Sequence, residues 1–363
     1  MGAQAQRGRA PRAARRPCHR GGRGAACVLA GPVSGASVLT FPLQAHLPFA
    51  SRLVLGCMGF GGGWNQDSLA AADIDRAAAA LDAALEAGIT VLDHADIYTF
   101  GKAEQAFGAL FRRQPSLRER VVLQSKCGIR FADASAPKRY DLSGAHIERS
   151  VESSLARLHT DRLDLLLLHR PDPLMHPAEV AEVCQRLHQA GKVRFFGVSN
   201  MHAAQMQGLS QHLGLPLVAN QLEMSLLRLD WLEADVTFND PQGAASPGAA
   251  AWPGTLAHCQ GAGIQLQAWG ALAQGRYSGR ASADATPAQA RAAALVSAIA
   301  QREGVAPEAV PLAWLMRHPA QIQPVIGTAD PARIRACAQA AGWTLSREDW
   351  YALFEAARGR ELP

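Results

Sequence analysis

The amino-acid sequence predicts an α/β protein built as a closed (β/α)8 TIM barrel, and three observations predict it. Eight short runs rich in Val, Ile and Leu alternate, from Arg52 onward, with alanine- and leucine-rich stretches at helical spacing. Several runs, LDLLLL above all, are apolar at nearly every position, as strands of a parallel sheet covered by helices must be. Eight such units fit within about 280 residues, the size of one barrel. An open doubly wound sheet shares these local signals and stands as the alternative.

Residues 1–45, rich in Arg, Gly, Ala and Pro, hold too few large apolar side chains to offset the entropy of ordering them, and a disordered N-terminal tail is expected. The lack of acids there resembles a transit peptide, while sparse serines and interrupting Gly and Pro fit a misassigned translational start equally well. Residues 46–363 are assigned to the barrel. Its strands are expected at 52–56, 90–94, 121–126, 163–169, 193–199, 217–223, 264–270 and 323–327. Helices are expected at 69–87, 103–113, 144–158, 176–190, 202–213, 289–303 and 331–340. The connection 233–254, carrying Pro, Gly and Ala, is long enough to read as a functional loop. SREDWYALFEAARG, 346–359, opens on a Ser cap with acids in its first turn and stops at Gly359, which predicts an added C-terminal helix outside the barrel.

With 48% hydrophobic and 18% charged residues over 363 positions, the chain has the composition of a soluble enzyme. No apolar run reaches the roughly 18 residues of a bilayer span. The formal charge of +5 comes from the tail, whose seven arginines face no acid within residues 1–50. Removing those seven from the 36 basic residues leaves 29 against 31 acids, a net −2, so the body offers no basic footprint for nucleic acid. Seven cysteines without any C-x-x-C pair argue against structural zinc or a disulfide framework and fit a reducing, cytoplasmic setting. Cys127, next to Lys126, is expected to be a small packing residue. A monomer acting on a small molecule, with neither nucleic acid nor membrane as partner, is the expectation.

Four polar residues stand where strands end. Asp93 closes TVLD, Tyr98 follows five residues later, Lys126 closes VVLQSK, and His169 closes LDLLLLH. Parallel strands would deliver all four to the carboxyl-end mouth, the face on which barrel active sites lie. A phenol of ordinary pKa about 10 donates a proton poorly at neutral pH unless a cation stabilises the phenolate. Lys126 could be that cation, Asp93 could balance its charge, and His169 could orient a carbonyl oxygen beside the phenol. Each residue alone is commonly a packing or solvated group; their shared position on consecutive strands is what argues for chemistry.

The segments DHADIYTFGKAEQAFG, SKCG, LLLLHRPDPL, GKVRFFGVSN, NQLEMSLL and VIGTADPARIRA together resemble the aldo-keto reductase superfamily, and within it the bacterial YdhF-type oxidoreductase branch. The likeness spans residues 50–363. It implies a barrel that uses NADPH to reduce a carbonyl substrate, with Tyr98 as general acid, Lys126 and Asp93 tuning it and His169 polarising the substrate. It further implies that Ser199 and Asn200 hold the nicotinamide carboxamide with Gln221 beside them, and that Trp269 stacks on the nicotinamide ring. Gly270 and Leu272 would line the pyrophosphate path, Thr328 and Arg333 would approach the 2′-phosphate, and the glycine-rich loop after the first strand would bring Cys57 and Met58 toward the cofactor. Gly327 stands where many members place Lys, and Asp330 adds an acid to the same loop, so NADH remains open beside NADPH.

Two other classes compete. Asp93, His94, Asp96 and His169 could be read as metal ligands of a barrel hydrolase, although Lys126 would crowd a cation there, and no metal is expected. A nicotinamide-binding regulatory subunit would keep the fold without turnover. Substrate choice would lie in the loops 130–143 and 233–254, with Arg170 and Trp64 as candidates to face the pocket.

Overall fold

Eight parallel strands close on themselves, so the barrel has no free edge. The computed structural model describes residues 41–237, 254–278 and 284–363. Its strands are β1 (Val54–Gly56), β2 (Val91–Asp93), β3 (Val122–Cys127), β4 (Ile129–Arg130), β5 (Arg139–Tyr140), β6 (Leu163–Leu168), β7 (Val193–Ser199), β8 (Leu217–Glu223), β9 (Gln265–Trp269) and β10 (Gln323–Ile326). The helices are α1 (Ala71–Glu86), α2 (Lys102–Arg113), α3 (Gly144–Leu158), α4 (Pro177–Gln189), α5 (Ala203–Leu213), α6 (Asp230–Val236), α7 (Thr255–Gly261), α8 (Pro287–Glu303), α9 (Ala309–Met316), α10 (Pro331–Ala338) and α11 (Arg347–Arg358). All eight expected barrel strands form.

The two-residue period of a strand divides each apolar run between two cores. Leu92, Leu123, Leu166 and Leu168 face outward and pack with the helices. Val54, Val91, Val122, Leu165 and Leu167 face inward and pack with one another. That parity also points Asp93, Gln124 and Lys126 into the barrel, one polar layer above the valines.

The floor of the barrel corrects the expected tail boundary. Phe41, Leu43, Leu47 and Ala50 join the inner cluster, with Pro42–Ala45 in a 3-10 turn, so structured chain begins before residue 46. The Leu43 amide donates to Gln265 Oε1, and Thr90 Oγ1 donates to the Phe49 carbonyl, which ties the segment to strand beginnings. Burying Phe41 and Leu43 contributes about 1.5–3 kcal/mol each toward the cost of ordering this segment. Residues 1–40, the bulk of the expected tail, lie outside the described residues.

Other differences are local. The expected 233–254 connection contains the end of α6 and borders α7, and its residues 238–253 lie outside those described. Within 130–143, β4 and β5 form an antiparallel hairpin. Helix α9 had no counterpart in the expectation. The added helix α11 forms as predicted, with Ser346 Oγ accepting from the Asp349 amide and Gly359 left-handed at its end. It docks through Trp350, stacked on Trp314 of α9 at 5.3 Å, each indole donating to the other's backbone carbonyl. Among the described residues no helix is long and apolar enough to cross a membrane.

Candidate active site

Asp93 ends β2 on the inner face, and Lys126 sits two residues past Gln124, the register partner of Asp93. The chain then turns over the barrel rim, with the Asp96 amide donating to the Lys126 carbonyl and the Tyr98 amide to that of Ala95. Thr99 and Phe100 hold φ of 46° and 59°, conformations costly for residues with a Cβ, and Gly101 continues them at 86°. Thr99 Oγ1 donating to the Phe60 carbonyl helps hold this turn. The strained turn sits directly behind the phenol it delivers.

The four strand-end groups meet. Lys126 Nζ donates to Asp93 Oδ2 at 2.7 Å, to the His94 carbonyl at 3.0 Å and to the Tyr98 hydroxyl at 2.9 Å. An ammonium has three N–H donors, and all three are engaged. Since the phenol oxygen accepts from Lys126, its own proton is available to another acceptor. The His169 ring meets the Tyr98 ring edge-on, with centroids 6.0 Å apart.

Burial alone would lower the Lys126 pKa, but Asp93 and Tyr98 outweigh it and the net shift is upward, which keeps the ammonium charged. For Tyr98 the balance is reversed: burial raises the phenol against the pull of Lys126. The phenol therefore keeps its proton through the neutral range. Burial, followed by Lys126 and Arg170, holds His169 well below the usual imidazole range, so its ring is neutral. Its Nδ1 is buried and without a protein partner.

Beside His169 lies the group expected to face a nicotinamide. Asn200, left-handed at φ 59°, donates from Nδ2 to Ser199 Oγ at 2.8 Å and to the His169 carbonyl at 3.2 Å. Ser199 Oγ donates to the Gln221 carbonyl, and Trp269 Nε1 donates to Asn200 Oδ1. Ser199, Asn200, Gln221, Trp269 and His169 thus form one connected set. The Arg170 guanidinium lies 5.8 Å from the Trp269 ring, which places Arg170 at this set. Gly270 follows Trp269 with φ 68°, and Leu272 precedes a second left-handed pair, Ala273 and Gln274.

Gly327, Thr328 and Arg333 stand apart, where β10 leads into α10. Thr328 Oγ1 accepts from the Asp330 amide, and Asp330 is the N-cap of α10, accepting from the Ala332 amide. The acid that counted against a phosphate site is thereby explained as a helix cap. Arg333 donates from Nε to Glu308 at 3.3 Å. Cys57 departs from the expectation: its side chain is wholly buried and its Sγ turns to the Leu55 carbonyl, because the residue faces the helix layer. Met58, 55% exposed, is the side chain of that pair open to a ligand.

The proposed metal ligands diverge. Asp93 points inward to Lys126, whereas His94, the next residue, points outward against Phe107, its pKa lowered to about 3 by burial and then Lys126. Asp96 turns to the buried Glu104 region, its pKa raised to about 7, first by burial and then by Glu104. Among the described residues no group of His, Cys, Asp and Glu could hold a metal ion. Cys127 is buried and its thiol pushed up, in keeping with a packing role. Two features escaped the sequence reading: the inward glutamines below Asp93, and an aromatic group at the rim. In the latter, Phe100 lies 6.0 Å from Trp64 and 5.0 Å from Phe131.

Comparison with known proteins accords with this geometry. The aldo/keto reductase family profile matches residues 52–358. A 6-dehydroglucose reductase of Novosphingobium aromaticivorans is 39% identical over 296 residues, 79% of this chain and 87% of that protein. The Escherichia coli oxidoreductase YdhF is 36% identical over 281 residues, 77% of this chain and 86% of that protein. A crystal structure of an aldo/keto reductase from Klebsiella pneumoniae in complex with NADP and acetate superposes with a TM-score of 0.62 at 26% identity, covering 86% of this chain and 93% of that one.

Proposed function

Because the chain belongs to the aldo/keto reductase family, we propose that it is an NADPH-dependent reductase converting an aldehyde or ketone to the alcohol, with Tyr98 donating the proton to the carbonyl oxygen. The observation that carries this reading is the ammonium of Lys126 shared between Asp93 and the Tyr98 hydroxyl at 2.9 Å. NADPH, when bound, supplies the hydride. Tyr98 gives up its proton as negative charge develops on the substrate oxygen, and Lys126 stabilises the phenolate that remains. Asp93 keeps that ammonium charged. The neutral His169 serves as a hydrogen-bond donor beside the phenol, holding the carbonyl oxygen without competing for its proton.

The residues present suit the cofactor. Ser199 and Asn200, with Gln221 beside them, offer hydroxyl and amide groups that match a carboxamide, and Trp269 offers a flat apolar face to its ring. Gly270 and Leu272 would follow the pyrophosphate, with Met58 at the open side. Gly327, Thr328 and Arg333 would take the adenosine end; Glu308 engages Arg333 through Nε, which leaves the two terminal nitrogens for a 2′-phosphate. The nearby carboxylate makes NADH the second cofactor to test.

An aldehyde flanked by hydroxyls is the first substrate class to try, since a relative sharing 39% identity carries the name 6-dehydroglucose reductase. The test is NADPH consumption, with product identification, over aldehydes, ketones and dicarbonyls including 6-dehydroglucose. Alcohol formation from at least one of them is expected. Tight NADPH binding with no turnover across the panel would instead make the chain a nicotinamide-binding regulatory subunit.

A further inference from the structure

Beneath Tyr98 and Lys126 the barrel is filled with carboxamides. Gln124, Gln221, Gln267 and Gln323, from β3, β8, β9 and β10, are all buried. Strand register aligns them: Asp93 opposes Gln124, and Gln267 opposes both Gln221 and Gln323. Burying neutral amides is unfavourable unless each finds partners, and these find one another. Gln267 is the hub, its nitrogen donating to Gln124 Oε1 and Gln323 Oε1 and its oxygen accepting from Gln124 and Gln221, each at 3.0 Å. The far end is anchored where Gln323 donates to the Ser51 carbonyl. The near end is Asp93, whose Oδ1 accepts from Gln124 Nε2.

A carboxylate oxygen can only accept, so Asp93 decides which end of the Gln124 amide faces it. The reciprocal pair with Gln124 then orients Gln267, and Gln267 orients Gln221 and Gln323. One charge therefore sets the direction of the whole amide chain. Conversely, the chain holds a donor against Asp93 that cannot rotate away without breaking both of its bonds to Gln267. Lys126 lies 2.7 Å from both oxygens of Asp93, and Gln124 holds Oδ1 from the other side.

We propose that Gln124, locked by Gln267, is a positioning residue of the proton-donor site: it holds the Asp93 side chain aimed at Lys126, and so maintains the ammonium against which Tyr98 releases its proton. This inference rests on the reading of Tyr98 as proton donor. The other titratable groups that interact electrostatically with Lys126 are Tyr98 itself and His169 at the mouth, and Cys57 and His94, which point into the helix layer.

Two substitutions separate a positioning role from a structural one, because both move the alkaline limb of the pH profile of carbonyl reduction. Gln124→Leu strips the donor that holds Asp93 against Lys126, so the ammonium loses part of the support that keeps its pKa raised. The alkaline limb should move down toward neutrality, and kcat at neutral pH should fall roughly ten- to hundredfold. Gln124→Glu can still donate while protonated, so activity should persist at low pH and vanish as the new carboxyl ionises, which moves the alkaline limb down. NADPH affinity, read by quenching of tryptophan fluorescence, should stay within about twofold in both. If the leucine variant does not fold, the glutamate variant decides alone. Wild-type pH limbs in a folded variant overturn the proposal, even if activity is uniformly reduced. Full turnover by Tyr98→Phe would overturn the parent reading instead; an inactive Tyr98→Phe beside unshifted Gln124 variants would sink only this inference.

Discussion

Replacing Lys126 by Met keeps the length of the buried stem and removes the charge, so it isolates what the ammonium does for the phenol. The nitrogen lies 2.9 Å from the Tyr98 oxygen. With an effective dielectric of about 20, a full negative charge there would gain about 6 kcal/mol. A proton half transferred in the transition state leaves about half of that, about 3 kcal/mol, which corresponds to a loss in kcat on the order of 10². The variant also leaves Asp93 buried without its cation, a loss of about 3–5 kcal/mol that thermal denaturation should reveal as a lower midpoint. Folding and chemistry are separated by a double-mutant cycle with Tyr98→Phe, measured as steady-state kcat on the folded fraction. If the ammonium acts through the phenol, Lys126→Met should cost little once Tyr98 is gone. An equal loss in both backgrounds would refute the reasoning, because the ammonium would then stabilise some other charge.

Three further outcomes follow from the same structure. Reduction requires a protonated phenol and burial raises the Tyr98 pKa, so kcat should be level through neutrality and fall only as pH climbs through that raised value; a fall centred in the neutral range would assign the proton to another group. Asp96, raised from 3.8 to about 7, keeps a proton in the folded chain that the unfolded chain has lost between those values, so stability should decline as pH rises across that window. Asp96→Asn should flatten this decline and raise the thermal midpoint more above the window than below it; equal midpoint changes on both sides would contradict the shift. Leu43→Ala should destabilise by about 2–5 kcal/mol through the barrel floor while leaving kcat unchanged, and a variant as stable as the parent would show that the floor does not depend on it.

The barrel was legible because buried strands such as LDLLLL of β6 read as nearly unbroken apolar runs, and the alternation with helices placed the rest: the strands expected at 193–199 and 217–223 match β7 and β8 residue for residue. Helix α9 was not, since AVPLAWLM is apolar all round and contains a proline, so it carries no amphipathic period to detect. The floor segment escaped because its few apolar residues gain their burial from strands far away in sequence. The tetrad positions were readable from strand ends. The glutamine layer carried a usable signal that went unread: Gln124 precedes Lys126, and Gln267 precedes Trp269, by the two residues that place strand side chains on one face. The rim aromatics gave no such signal, because Trp64, Phe100 and Phe131 come from three loops that only the closed barrel brings together.

The most direct test of the central claim is the turnover of Tyr98→Phe at saturating NADPH on a carbonyl that the parent protein reduces, with NADPH affinity measured in parallel. Losing only the hydroxyl that accepts from Lys126 should reduce kcat by a factor on the order of 10² to 10⁴ and leave cofactor affinity nearly intact. Turnover equal to that of the parent protein would contradict the account, because the proton would then come from elsewhere.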